Sequence, residues 1–252
     1  MKAIIAAAGW KAAGADIGLP GCPEPFLPLG DGTTTLSRTA QAFSDNECEI
    51  YTAIAGRDYP YSRYIRWSEQ KFLPKFGHDF DWSATPWTPE RYAYAAQFGA
   101  VLEMPDPGGW STSLDTFCQS MDMIGADNWD GLILACGDML VHREVLDFIA
   151  GLPVPFVFSL TAFHAYFGLD ADGARCFRDY AEPYRRFRSQ DAWRNEKNWA
   201  PHYWGNTILA QAGFNIFGRE TAPVQKWTDI DIAAIYGDAL RWVAAESDGN
   251  ET

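Results

Sequence analysis

Several signatures are missing from this chain, and each absence narrows its chemistry. Neither the phosphate-binding pattern GxxxxGK[ST] nor a GxGxxG dinucleotide turn occurs, which removes the two common nucleotide motifs. GxSxG and HExxH are also absent. The four histidines, His78, His142, His164 and His202, are scattered, and singly they read as structural side chains. The five cysteines, Cys22, Cys48, Cys118, Cys136 and Cys176, are odd in number, widely spaced and contain no CxxC pair. That excludes a zinc ribbon and a disulfide framework and implies reduced thiols. Positive charge is scarce: 20 Lys and Arg against 33 Asp and Glu leave a formal charge of −13. A nucleic-acid backbone or an anionic membrane needs a cationic face, so neither is the expected partner. No apolar run approaches the ~18 to 20 residues that span a bilayer, and no charged leader precedes a signal-type stretch. A soluble cytoplasmic protein is the expectation.

What is present is a chain of 252 residues, 47% hydrophobic and 15% aromatic, enough for one substantial core over residues 1–252. Ala3 to Ala8 is an uninterrupted apolar run that suits a central strand covered on both faces. A loop with Gly9, Gly14, Gly18 and Gly21 and with Pro20, Pro23, Pro25 and Pro28 follows, before a helix predicted from about Thr34 to Phe43. A strand, a glycine-rich loop and a helix in that order is phosphate-binding geometry, because glycine lets backbone N–H groups close on an anion.

Glu49 to Ala55 alternates like a strand, closes on Gly56 and completes a βαβ unit. Tyr59 to Phe98 is dense in aromatics and proline, with helices predicted at Ser62 to Phe72 and Pro89 to Phe98. Its simpler reading is an aromatic layer over the sheet, its sharper one substrate stacking by Trp82 or Trp87. Ala100 to Met104 is a short strand, and Ser111 to Ser113 opens a helix that runs to about Ile124. Asp130 to Cys136 is an apolar strand ending at Gly137-Asp138. A carboxylate just past the carboxyl end of a central parallel strand faces the crevice where open α/β sheets bind ligands. A carboxylate is a hard oxygen ligand, so Asp138 is a candidate for holding a divalent cation; the competing role is capping a helix predicted over His142 to Ala150.

Val154 to Ser159 is a further strand. Between Phe163 and Trp204 lie Arg175, Arg178, Arg185, Arg186, Arg188, Arg194 and Lys197, seven of the 20 basic residues. In so acidic a chain this cluster is a candidate anion site, with Arg185, Arg186 and Arg188 as acceptor-binding residues. A solvated helix face pairing with Asp179, Glu182 and Asp191 is the equal alternative. Gly205 to Phe217 reads as two short strands or a strand and turn, and Ala233 to Ala245 as a terminal helix with Ile232, Ile235, Tyr236, Ala239, Leu240 and Val243 on one face.

Three of these stretches resemble the nucleotidyltransferases of the glycosyltransferase-A fold. Their AAG turn is Ala7-Ala8-Gly9, and their P-L-x-G-G lead-in to the first helix is Pro28-Leu29-Gly30-Asp31-Gly32 with Leu36. Their G-D is Gly137-Asp138, and their D-I-D before a terminal helix is Asp229-Ile230-Asp231. The resemblance implies a three-layer α/β/α, Rossmann-like fold with a mostly parallel central sheet, and insertions near 59–98 and 163–204. It implies Mg²⁺ held by Asp138 and Asp231, with Asp229 the alternate. Nucleotide contacts fall to Ala7, Ala8, Gly9, Gly14, Gly108, Gly109 and Ser113. The implied reaction joins an NTP to a phosphorylated small molecule, most often a sugar phosphate, and releases pyrophosphate. Two departures stand out: the P-K-P position reads Pro23-Glu24-Pro25, where Glu24 would repel a triphosphate, and the loop arginine is missing. Lys11, the only cation between Lys2 and Arg38, is therefore a catalytic candidate. The alternatives are a non-catalytic nucleotide-binding or regulatory protein, which the departures favour, and a glycosyltransferase of the same fold, whose D-x-D is poorly matched by Cys136-Gly137-Asp138.

Overall fold

The structure is a computed structural model that describes residues 1–8, 22–58, 87–105, 113–161, 164–186, 209–230 and 233–249. The predicted helix at Ser62 to Phe72 lies outside these residues. Strand β1 (Lys2–Ala7) is the central element, pairing in parallel with β2 (Glu49–Ala55) on one side and with β4 (Leu132–Cys136) on the other. With β3 (Ala100–Met104), β6 (Phe156–Ser159), β7 (Ala165–Leu169) and β8 (Asn215–Gly218) it forms a seven-stranded sheet of order β3-β2-β1-β4-β7-β6-β8. The sheet is parallel except at β7, which runs antiparallel to both β4 and β6. A small second sheet pairs β5 (Met139–Val141) with β9 (Trp227–Asp229).

Helix α1 (Thr35–Asp45) begins in a capping box: the Thr34 hydroxyl accepts from the Ser37 amide and the Ser37 hydroxyl accepts from the Thr34 amide. It ends where Glu47 takes a positive φ of 61°. The other helices are α2 (Pro89–Ala95), α3 (Ser113–Ile124), α4 (Arg143–Ala150), α5 (Ala171–Arg186) and α6 (Ala233–Ser247). Successive strand side chains point to opposite faces, and β7 displays both layers. Tyr166 packs against Phe43 of α1, while its neighbour Phe167 packs against Phe117 of α3 and Phe177 of α5. Helix α4 joins the first layer through Phe148 on Phe158, the strand partner of Tyr166. The sheet is thus covered on both sides, the expected three-layer α/β/α arrangement.

The stretch beyond Phe163, expected to lack a counterpart in a minimal fold, supplies β7, an interior strand of the main sheet. Over Gly205–Phe217 the described part holds a turn at Ala212-Gly213 followed by the single strand β8. Strand β5 had no separate expectation.

A second, smaller apolar cluster gathers Leu27, Leu29, Leu140, Ile230, Ala239 and Val243. It draws together the segment before α1, strand β5, the residue between Asp229 and Asp231, and helix α6. The short motifs singled out in the sequence are therefore neighbours in space.

Candidate functional site

Gly137 and Asp138 leave the carboxyl end of β4 under tight control. The Gly137 amide donates to the Ala6 carbonyl at 2.9 Å, and a Cβ at this position would lie 2.7 Å from the same oxygen. Only glycine lets β4 stay so close to β1 here. From the helical layer, the buried Thr35 hydroxyl donates to the Gly137 carbonyl at 2.6 Å. The first turn of α1 thereby fixes the backbone one residue before Asp138. Asp138 is half-buried, and its Oδ1 is shielded from solvent without a hydrogen-bond partner. A lone buried carboxylate oxygen wants a proton donor or a cation. Helix α4 is capped by His142, whose Nδ1 accepts from the Glu144 amide at 3.4 Å, so Asp138 does not serve as its cap.

Immediately after Asp138, β5 pairs antiparallel with β9, and Met139 lies opposite Asp229. The Asp229 backbone is thus beside the strand that Asp138 opens. Its side chain, and Asp231 entirely, lie outside the described residues. Tyr166 of β7 is fully buried, and burial pushes its phenol well above the ordinary range, with the charges of Cys136 and Asp138 adding to the effect. Its hydroxyl likewise has no hydrogen-bond partner.

On the other side of β1, at the carboxyl ends of β1 and β2, lies a small cleft lined by Ala7, Pro23, Phe26, Ile54, Ala55, Trp87 and Arg91. The Arg57 guanidinium stands 4.5 Å from the centre of the Trp87 ring. Burial raises the Cys22 thiol pKa above its ordinary value, and the neighbouring Arg91, by charge and hydrogen bond, pulls it part of the way back. Glu24, the residue at the lysine position of the resemblance, is only 1% exposed at the start of a 3-10 turn (Glu24–Phe26). It is packed into the protein rather than displayed on the cleft surface.

Ala7 and Ala8 are buried at the end of β1. Ser113 is the first residue of α3. Gly9, Lys11, Gly14, Gly108, Gly109 and Arg188 lie outside the described residues, as do Ser111, Thr112 and Trp82. Arg185 and Arg186 close α5, with side chains outside the description. Of the tryptophans proposed for stacking, Trp87 lines the cleft. Sequence reasoning missed Thr35, Arg91 and Tyr166, and also Asp115, a carboxylate 1% exposed in the first turn of α3. The only signal for Thr35 was its place in the lead-in Gly30-Asp31-Gly32-Thr33-Thr34-Thr35. Arg91 sits in an ordinary helical context that marks nothing. Among the described residues, no three His, Cys, Asp or Glu side chains converge into a metal cluster. No described helix is long and apolar enough to cross a membrane.

Solved structures share this architecture along the whole chain. A UDP-glucose pyrophosphorylase complexed with UDP-glucose superposes with a TM-score of 0.54 at 13% identity, covering 97% of this chain and 98% of its own. An apo UDP-glucose pyrophosphorylase gives a TM-score of 0.57 at 10% identity, over 98% and 99% of the two chains. The chain has the sugar-nucleotidyltransferase fold. A glucose-1-phosphate thymidylyltransferase from Bacillus anthracis, in complex with a sucrose, agrees with a TM-score of 0.51 at 11% identity over 96% and 94%. No protein-family model and no curated protein matches the sequence. At these identities the likeness is one of fold.

Proposed function

We propose that this protein is a nucleotidyltransferase that joins an NTP to a phosphorylated small molecule, a sugar phosphate by preference, and releases pyrophosphate. The observation that carries the reading is Asp138 Oδ1, a buried carboxylate oxygen without a hydrogen-bond partner at the carboxyl end of a central strand. The neighbouring strand β1 ends in Ala7-Ala8, beside the cleft. The full-length likeness to sugar-nucleotide pyrophosphorylases supports the same reading.

In this scheme an oxygen of the acceptor phosphate attacks the α-phosphorus of the NTP. The bond from that phosphorus to the bridging oxygen breaks, and pyrophosphate leaves with the electron pair. No side-chain nucleophile is required, so the protein's part is positioning and charge. Asp138 fits a hard divalent cation, because Mg²⁺ takes one or two carboxylates and fills its remaining positions with water and phosphate oxygens. Asp138, with Asp231 as its partner, would hold the ion, which neutralises phosphate charge when bound. Ala7, Ala8 and the glycines Gly9 and Gly14 would lie against the nucleotide, with Gly108, Gly109 and Ser113 beside its base and ribose. Lys11, Arg185, Arg186 and Arg188 are the proposed cations for the triphosphate and the acceptor.

The test is pyrophosphate release from each common NTP, with and without Mg²⁺, against a panel of sugar and alcohol phosphates. The expected result is metal-dependent release for one pair, reduced at least 100-fold by Asp138→Asn in a protein of unchanged fold. Silence across the panel with nucleotide binding retained in calorimetry would favour the second reading, a nucleotide-binding protein without turnover. The glutamate at position 24 and the missing loop arginine are what speak for it.

A further inference from the structure

Two buried side-chain oxygens without a hydrogen-bond partner lie toward the carboxyl end of β4, Asp138 Oδ1 and the Tyr166 hydroxyl. Strand pairing brings them together. Strand β7 runs antiparallel beside β4 with Leu134 opposite Phe167, and the Cys136 thiol reaches the Ala165 carbonyl at 3.9 Å, so the two strands keep company to the last residue of β4. Tyr166 lies between these two contacts, level with Ala135. Its ring turns to the α1 layer and meets Phe43 at 6.4 Å between ring centres. The same helical layer, through Thr35, holds the Gly137 carbonyl at 2.6 Å. Burial first, then the charges of Cys136 and Asp138, pushes the phenol pKa up, which puts Asp138 within electrostatic reach of the hydroxyl.

The two oxygens are chemically complementary. An ionised carboxylate only accepts hydrogen bonds, whereas a phenol O–H donates one. Buried polar atoms without a partner are rare in folded proteins, and two of opposite role at one end of a sheet answer each other's need. Asp138 is half-buried and Oδ1 is its shielded oxygen, which leaves Oδ2 for a cation. Carboxylates that ligate a metal are themselves held by hydrogen bonds, which fix the orientation that the ion meets. Thr52 supplies the contrast. Its hydroxyl is also buried without a partner, but it lies on β2, opposite Ile5, with β1 between it and β4.

Resting on the reading of Asp138 as the metal ligand of a nucleotidyltransferase, we propose that Tyr166 is its positioning residue: the phenol O–H donates to Oδ1, directly or across one water, and so presents Oδ2 to the divalent cation. Tyr166 touches neither nucleotide nor acceptor in this scheme and acts through Asp138.

Titration of the whole chain with Mn²⁺, followed by loss of the free-ion electron paramagnetic resonance signal, tests the assignment without turnover. Mn²⁺ shares the preference of Mg²⁺ for oxygen ligands, and the site followed is the one that Asp138→Asn removes. Tyr166→Phe keeps the ring and takes away only the oxygen. It should weaken Mn²⁺ binding about 10- to 100-fold and leave the metal-free Tm unchanged or raised, since the hydroxyl it deletes bonds to nothing there. Thr52→Val, which deletes the other buried hydroxyl, should leave Mn²⁺ affinity unchanged. Undiminished Mn²⁺ affinity in Tyr166→Phe, equal weakening in Tyr166→Phe and Thr52→Val, or a lowered metal-free Tm in Tyr166→Phe would each overturn the proposal alone. A wild-type protein that binds no Mn²⁺, or binds it as tightly after Asp138→Asn, would overturn Asp138 as the metal ligand and take this proposal with it.

Discussion

Gly168 sits in β7, the one reversed strand, directly opposite Phe156 of β6, and both face the α1/α4 layer. A Cβ built on Gly168 would lie 2.0 Å from Phe156 Cε1 and 2.3 Å from Cδ1, where carbon atoms need ~3.5–4.0 Å. Relief requires the Phe156 ring to retreat by roughly 1.5 Å. That ring is fully buried and already meets Phe217 edge to face at 6.5 Å, so it has no void to enter. Gly168→Ala should therefore cost about 3 kcal/mol, the upper end of overpacking, although alanine is the better residue for an unfolded-chain comparison. In a chain of this length that is a fall in Tm of about 6–12 °C. Urea unfolding followed by circular dichroism measures it. The decisive experiment is the cycle with Phe156→Leu, which alone should cost about 1–2 kcal/mol by leaving space. Combined, the two changes should be at least 1 kcal/mol more stable than their sum. Strict additivity, or a Gly168→Ala variant within about 0.5 kcal/mol of wild type, would refute the close packing of β7 on β6.

Other perturbations bear on the site and its supports. Thr35→Val removes the hydroxyl that holds the Gly137 carbonyl; stability should drop by about 1–3 kcal/mol, and Thr35→Ser, which keeps the oxygen, should lose less in a parallel melt. Arg38 bridges Asp31 at 2.9 Å and Glu246 at 2.7 Å, tying α1 to α6; Arg38→Met should lower stability by about 1 kcal/mol, less in high salt. Burial works to raise the Asp31 pKa, but hydrogen bonds from Thr33 and Arg38 outweigh it and hold the carboxyl below its usual value. A folded pKa below the unfolded one stabilises above about pH 4 and is lost as pH falls through the lower value. Acid titration of stability should accordingly be shallower below pH 4 in Arg38→Met than in wild type, and equal slopes would contradict the pairing.

Much of the fold was legible because its central strands are covered on both faces. Ala3 to Ala8 and Asp130 to Cys136 are short, mainly apolar runs and Glu49 to Ala55 alternates, each closed by glycine or a turn, and each holds a strand whose residues are mostly buried. The place of Asp138 just past the end of β4 was legible for a related reason, since the end of such a strand is where a polar side chain has a crevice to face. Strand β7 was not. Its sequence, AYFGL, runs into the acidic start of α5 with no alternation, and its glycine, which favours neither helix nor strand, is needed only because Phe156 lies across from it. The β5–β9 pair is three residues long on each side and nearly ninety residues apart in sequence; local propensity carries no trace of such pairing. Arg91 escaped notice because helix α2 is charged and half-exposed, and only the meeting of β1 with β2 gives that arginine a cleft.

The small cluster of Leu27, Leu29, Leu140, Ile230, Ala239 and Val243 has a temporal consequence. During synthesis Leu27 and Leu29 emerge more than 200 residues before their apolar partners Ala239 and Val243 on α6. Strands β1 and β2 can pair long before α6 has been made, whereas this cluster closes only once α6 has emerged. A nascent chain stalled before Ile230 would hold the sheet's centre with an open flank, exposing leucines that chaperones recognise.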